Sequence, residues 1–188
     1  MKSGLVLKSA SPRRKQILQN LGFSFSVRPA NVDESQKNTE QPLDYLRRIT
    51  LLKLEEENAK NTLYISSDTI VVLDDSILHK PETPEKNLDL LLRLSGKKHS
   101  VYSGLALRKE ETEVFLYEET EIILKDLQKS EWEKYILEEK PYDKAGGYGI
   151  QDRFSPVLTF SGSYSNVVGF PLRRFFECFD LWRDCLDL

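Results

Sequence analysis

Sulfur and imidazole are scarce in this chain of 188 residues, which holds two cysteines, two histidines and one methionine. Cys178 and Cys185 fall in a segment that reads as helix. Their spacing puts them on one face but roughly 10 Å apart along the axis, too far for a disulfide. With His79 and His99 as the only imidazoles, a zinc centre lacks ligands. Two reduced thiols suit a cytoplasmic protein. Long apolar runs are missing too. The longest uncharged stretch, Phe154 to Leu172, carries Pro156, Gly162, Gly169, Pro171, four serines and Asn166, so it does not read as a bilayer-spanning helix. Lys8, Arg13, Arg14 and Lys15 follow the first apolar patch too closely for a secretory leader. Neither export nor membrane anchoring is expected.

What is present suffices for a core. Leu, Ile, Val and Phe account for 56 residues, well above the roughly 20% below which chains tend to stay disordered. The length suits one compact domain over residues 1–188, without internal repeat or linker. The net charge of −3 conceals a segregation: Met1 to Val32 has six cations and no acid, and the remainder carries the excess of acids. A basic start suits a nucleic-acid arm. Here the cations are interleaved with apolar residues at structural periods, and the acidic remainder speaks against a nucleic-acid surface. The sign changes at Asp33-Glu34.

Strand and helix signals alternate throughout. Gly4 to Leu7 reads as a strand, followed by a helix that Ser11 caps and Pro12 opens, with Ile17, Leu18 and Leu21 as its stripe and Gly22 as its stop. Phe23, Phe25 and Val27 alternate as a strand. A polar loop from Asp33 to Gln41 leads to a helix from Pro42 to about Lys60. Leu63 to Leu73 reads as strand, Pro84 to Leu94 as helix, and His99–Leu107 with Thr112–Leu124 as a hairpin. Ser130 to Glu138 reads as a helix with Ser130 and Glu133 as a capping box. Val157 to Val168 reads as two strands about Gly162, and Pro171 to Leu186 as a closing amphipathic helix. The fold class is α/β, a mixed central sheet flanked by helices.

Four constellations carry chemistry. Ser9-Ala10-Ser11-Pro12-Arg13-Arg14 sets free backbone donors, a positive helix end and two guanidinium forks where a phosphate would sit; a solvated basic turn is the alternative. Ser66-Ser67-Asp68-Thr69 puts a carboxylate at the entrance of an apolar strand, as turn residue, metal ligand or base. Glu34 would complete an oxygen-rich pair for a magnesium ion carrying phosphates. Lys53 falls on an apolar helix face and Lys80 is held extended by Pro81; each reads as a phosphate contact or a snorkelling surface cation. Asp143 to Gln151 has glycines at 146, 147 and 149, suited to close ligand approach or to a plain turn, and Gln151 offers an amide to a base edge.

In this order and spacing the segments resemble the Maf family of nucleotide pyrophosphatases, from Leu5 to about Leu172. The resemblance also takes in Lys80-Pro81, Leu94-Ser95-Gly96, Val101-Tyr102-Ser103-Gly104 and Asn166-Val167-Val168-Gly169. It implies a two-lobed α/β fold with a cleft, related to the inosine-triphosphate pyrophosphatases. It further implies hydrolysis of a nucleoside triphosphate to monophosphate and pyrophosphate with Mg2+ or Mn2+. By position, Asp68 matches the general base, and Glu34 joins it at the metal. Ser9, Arg14, Lys53 and Lys80 match phosphate contacts, and Arg13, Thr69 and Gln151 match the substrate-choice positions of the dTTP and UTP branch. A homodimer is implied by the resemblance alone. Lys8, Ser67, His79, Gly147 and Asp152 depart from the family's usual Ala, Ala, Gly, Ala and Gly. Alternative readings are a pyrophosphatase for 7-methyl-GTP or another modified nucleotide, and a non-catalytic nucleotide-binding regulator of septum formation.

Overall fold

The computed structural model describes residues 3–54 and 58–186. Its sheet has seven strands: β1 (Gly4–Leu7), β2 (Ser26–Val27), β3 (Thr62–Leu73), β4 (Ser76–Leu78), β5 (Lys98–Lys109), β6 (Thr112–Leu124) and β7 (Val157–Ser161). The helices are α1 (Pro12–Asn20), α2 (Pro42–Leu52), α3 (Pro84–Leu94), α4 (Lys129–Glu139), α5 (Tyr164–Val168), α6 (Leu172–Glu177) and α7 (Phe179–Trp182). Strand order is β2-β1-β3-β5-β6-β7, with β4 also on β3. β1 runs parallel to β2 and β3, and the other pairings are antiparallel. The expected mixed α/β sheet is therefore present.

One edge of β3 positions the site. β5 pairs along nearly all of β3, from Leu63 to Val72. The opposite edge is shared: β1 covers Thr62 to Ile65 and β4 covers Val71 to Leu73. Among the described residues, Ser66 to Ile70 have no strand on that side. Asp68 thus lies at the centre of a 12-residue strand rather than at its entrance. The strand runs through the two serines because each hydroxyl is satisfied in place. Ser66 Oγ donates to Thr50 O at 2.6 Å, and Ser67 Oγ donates to Gly169 O at 3.1 Å.

Alternation along the long strands sorts the interior. On one face Leu63 and Ile65 join Leu105, Leu107, Phe170 and Trp182 in one apolar cluster, while Val71 and Leu73 join Val101, Ile122, Trp132 and Tyr148 in another. Between the clusters lie Ser67, Thr69, Ser103, Glu118 and Thr120, a polar belt across three strands. On the other face α2 packs Tyr45, Leu46 and Ile49 against Ile70 and Val72.

Local signals placed some ends well. Ser11 caps α1 and accepts from the Arg14 N–H at 3.5 Å, with Pro12 opening the helix. Four expectations are corrected. The α4 cap is Gln128, whose N–H donates to Glu131 at 2.8 Å, two residues before the expected pair. The second strand expected after Gly162 is the helix α5, which Ser163 caps and Gly169 ends at φ 111°. Asn166 explains this, since its buried amide bonds Val101 O, Thr120 Oγ1 and the Ser103 N–H, a reach only a helical turn supplies. The closing helix breaks at Cys178, because Phe175 O is taken by the Cys178 N–H and the Trp182 indole N–H. The helix expected to reach Lys60 ends at Leu52; residues 55–57 lie outside the described residues.

Gly104 lets α2 approach β3 and β5 closely. A Cβ there would meet Thr50 Oγ1 at 2.6 Å and both Leu46 and Phe115 at 3.1 Å. Gly104→Ala is expected to destabilise the fold by about 1–3 kcal/mol through overpacking, read as a lower midpoint in thermal denaturation. An unchanged midpoint would mean that α2 is not held this tightly.

Candidate active site

The stretch of β3 left uncovered by β1 and β4 opens into a cleft of about 570 Å³, a size usual for small-ligand sites. Ser9, Arg13, Arg14, Glu34, Lys53, Asp68, Thr69, Lys80 and Gln151, which the sequence scatters over 143 positions, all line it. Six cationic side chains (Lys8, Arg13, Arg14, Lys53, Lys80, Lys144) face four carboxylates (Glu34, Asp68, Asp143, Asp152) in its wall. The cleft is thus net positive in a chain of charge −3. Such a concave, cationic surface attracts polyanions of limited size.

Arg14 forms the floor on the α1 side. Its Nε–H donates to Gly169 O at 2.8 Å, while Nη1 and Nη2 donate to Ser9 Oγ at 3.0 Å and Thr69 Oγ1 at 3.1 Å. Thr69 Oγ1 also shares a hydrogen bond with Ser103 Oγ at 2.9 Å, and Ser103 Oγ lies 2.7 Å from Asn166 O. Burial lowers the Arg14 pKa from its usual value, and the Asp68 charge opposes that shift. Among the described residues, three of the five guanidinium N–H groups are engaged, which leaves two on the fork at the cleft.

Opposite it stand the acids. Lys53 follows directly on α2, is 8% exposed, and lies between two carboxylates: Nζ is 2.8 Å from Asp68 Oδ1 and 2.9 Å from Glu34 Oε1. Glu34 sits on the loop before α2, which α2 itself ties down. The Tyr45 hydroxyl donates to Glu34 O at 2.9 Å, and Arg48 bonds Ser35 O at 3.0 Å while pairing with Glu40 at 2.6 Å. The Arg48 fork holds the Glu40 carboxyl down to about 2. Burial, aided by the charges of Asp68 and Glu34, pushes the Tyr45 phenol up to about 12. Glu34 and Asp68, which share the Lys53 ammonium, are the oxygen donors that a hard divalent ion would take in this cleft. Among the described residues no cluster of three or more acidic, histidine or cysteine ligands occurs.

The third wall is the segment from Asp143 to Asp152. Arg13 Nη1 donates to Asp143 Oδ2 at 2.7 Å, joining it to the start of α1. Gly146 and Gly147 have φ of 69° and 71°, and a Cβ on Gly147 would collide with the Asn87 amide. Gln151 is exposed at the rim, and Lys80 stands across the cleft on the β4 side. Lys8 and Asp152, two of the departures noted in the sequence, line the cleft, while His79 stacks edge-on against Tyr45. Sequence reading missed Tyr45, Arg48 and Asp143 as supports. The spacing of Tyr45 and Arg48 on one helical turn beside an acidic loop was the available signal.

Behind this wall His99 Nε2 lies 2.7 Å from the Tyr148 hydroxyl, and both side chains are buried. Burial holds the His99 imidazole down to about 4, so it is neutral when folded. The unfolded chain takes up that proton near pH 6.5, so the stabilisation is complete above this value and is lost as pH falls toward 4. Between pH 7 and pH 5 the wild type should lose about 2 kcal/mol more than His99→Gln, measured by urea unfolding. Equal losses would place the imidazole in water.

Comparison with known proteins identifies the family. The family model described as Maf-like protein matches residues 4–181. A Leptospira biflexa protein named dTTP/UTP pyrophosphatase is 51% identical over 177 residues, covering 94% of this chain and 93% of the relative. A Leptospira interrogans protein of the same name is 46% identical over 182 residues, with 97% of each covered. One from Thermotoga maritima is 40% identical over 174 residues, with 89% and 84% covered. With the match running from β1 into α7, the chain belongs to the Maf-like protein family.

Proposed function

We propose that this chain is a nucleoside triphosphate pyrophosphatase. It cleaves between the α and β phosphates to give the nucleoside monophosphate and pyrophosphate, and dTTP and UTP are its preferred substrates among free cytoplasmic nucleotides. The observation that carries the reading is the Glu34–Lys53–Asp68 cluster on the open stretch of β3, facing the Arg14 fork across one cleft. The names of relatives aligned over nearly their full length support the same substrates.

The residues divide the work by position. The α1 N-terminus, Ser9 and the two remaining Arg14 N–H groups receive the triphosphate, and Lys53 and Lys80 add point charges. Asp68 orients the attacking water toward the α-phosphorus and accepts its proton, because it is the carboxylate on the most rigid element of the cleft. Glu34 and Asp68 would hold a divalent cation, Mg2+ or Mn2+, which when bound neutralises phosphate oxygens. Pyrophosphate leaves toward the cationic side. Gln151 and Arg13 stand at the rim, where the base would lie, and an amide there can pair with the imide edge shared by thymine and uracil.

Asp68→Asn should lower pyrophosphate release from dTTP by about 10²–10⁴-fold with the thermal midpoint kept within a few degrees; near wild-type turnover sinks the assignment. Gln151→Ala should alter the ranking of nucleotides more than the rate on the best one. The screen covers canonical and modified triphosphates, 7-methyl-GTP included, with Mg2+ or Mn2+ and with a chelator. Release that persists in the chelator contradicts the metal reading, and binding without release throughout contradicts catalysis.

A further inference from the structure

We propose that Asp152 is a positioning residue for nucleobase selection, locking the Gly149–Gln151 turn through Tyr135 and coupling it to Arg13 through Lys144 and Asp143. The inference rests on the reading of Gln151 as a base-contacting group and names what holds that group still.

The turn is tied at both ends to one phenol. The Gly149 N–H donates to the Tyr135 hydroxyl at 3.0 Å, and that hydroxyl donates in turn to Asp152 Oδ2. The Asp152 N–H closes the turn on Gly149 O at 3.3 Å. Its carboxylate lies flat against Gly149: a Cβ at that glycine would fall 2.4 Å from Asp152 Oδ1. The Asp152 side chain is only 8% exposed, whereas Gln151, between the tied ends, faces solvent. Tyr135 is itself anchored in the core beside Trp132 on α4, their rings edge to face at 5.9 Å. Burial and the Asp152 charge raise the Tyr135 pKa, so the phenol keeps its proton and remains the donor.

The same carboxylate continues outward. Lys144 Nζ is 3.4 Å from Asp152 Oδ1 and 3.4 Å from Asp143 Oδ1, and Asp143 Oδ2 accepts from Arg13. Charges alternate from Arg13 through Asp143 and Lys144 to Asp152, so the two rim groups at Arg13 and Gln151 stand at the ends of one chain. A glycine at 152 would supply neither tie. An amide held in place before binding loses less freedom when it pairs with a base, and it cannot swing to suit a base with reversed donors and acceptors. UTP and CTP differ in that respect.

The test compares kcat and KM for UTP and CTP in the wild type, Asp152→Ala, Asp152→Asn, Tyr135→Phe and Gln151→Ala, with thermal midpoints for each. Asp152→Ala and Tyr135→Phe should lower the UTP-over-CTP ratio of kcat/KM by about five- to twentyfold, mostly through a higher KM for UTP. Asp152→Asn keeps an acceptor for Tyr135 and should recover part of the ratio, which a general loss of stability would not produce. If Gln151→Ala shifts the ratio but the folded Asp152 and Tyr135 variants do not, the latch is overturned and the base-reading role stands. If Gln151→Ala leaves the ratio unchanged, the reading of Gln151 fails and this proposal with it. Equal loss of kcat for both nucleotides in Asp152→Asn would also overturn it.

Discussion

A guanidinium taken out of water must find partners, and the partners of Arg14 organise this molecule. Its N–H groups reach a serine after β1, a threonine in the middle of β3 and the carbonyl that follows α5. An unpaired charge at this depth would cost several kcal/mol, so the three segments are held together by the same side chain. Thr69, Ser103 and Asn166 extend the network across the sheet. The polar belt between the two apolar clusters is therefore hydrogen-bonded in large part rather than left as a seam of orphaned groups. The cleft exists because this belt reaches the edge of β3, where neither β1 nor β4 covers the strand.

The acidic half of the site follows from packing on the opposite face of the same strand. Alternation directs Asp68 toward α2, and the missing side chain at Gly104 lets α2 sit low enough for Lys53 to reach it. Glu34 is brought in by a loop that has little core of its own and leans on Tyr45 and Arg48 instead. Rigid strand, helix end and strapped loop thus contribute one charged group each. Catalytic groups borne on regular elements hold their geometry better than groups on loops alone.

How far the sequence could be read depended on the range of the controlling interaction. Ser11 and Pro12 define a helix start by their own chemistry, and α1 begins where they say. Lys53 was legible as a cation on an apolar face, but its two partners come from positions 34 and 68 and leave no local trace. Val167 and Val168 favour strand by propensity, yet they belong to α5 because Asn166 is drawn into the belt. Likewise the Phe and Trp spacing after Pro171 suggests one amphipathic helix, until the Trp182 indole takes the carbonyl that the next turn needed. Asp152 stood out only as a departure from its family; the tyrosine that explains it is 17 residues earlier.

The span of the Arg14 contacts also bears on the order in which the chain can assemble. β5 and β6 meet through a tight turn and can pair early, whereas the parallel β1–β3 ladder joins Gly4 to Thr62 and the Arg14 bond to Gly169 closes a separation of 155 residues. Contacts so distant in sequence are entropically the slowest to form. A partly folded chain can therefore own most of its sheet and still lack the cleft. Binding at the cleft reports the last closure of the polypeptide, and any ligand that bridges these segments draws the final step forward by mass action.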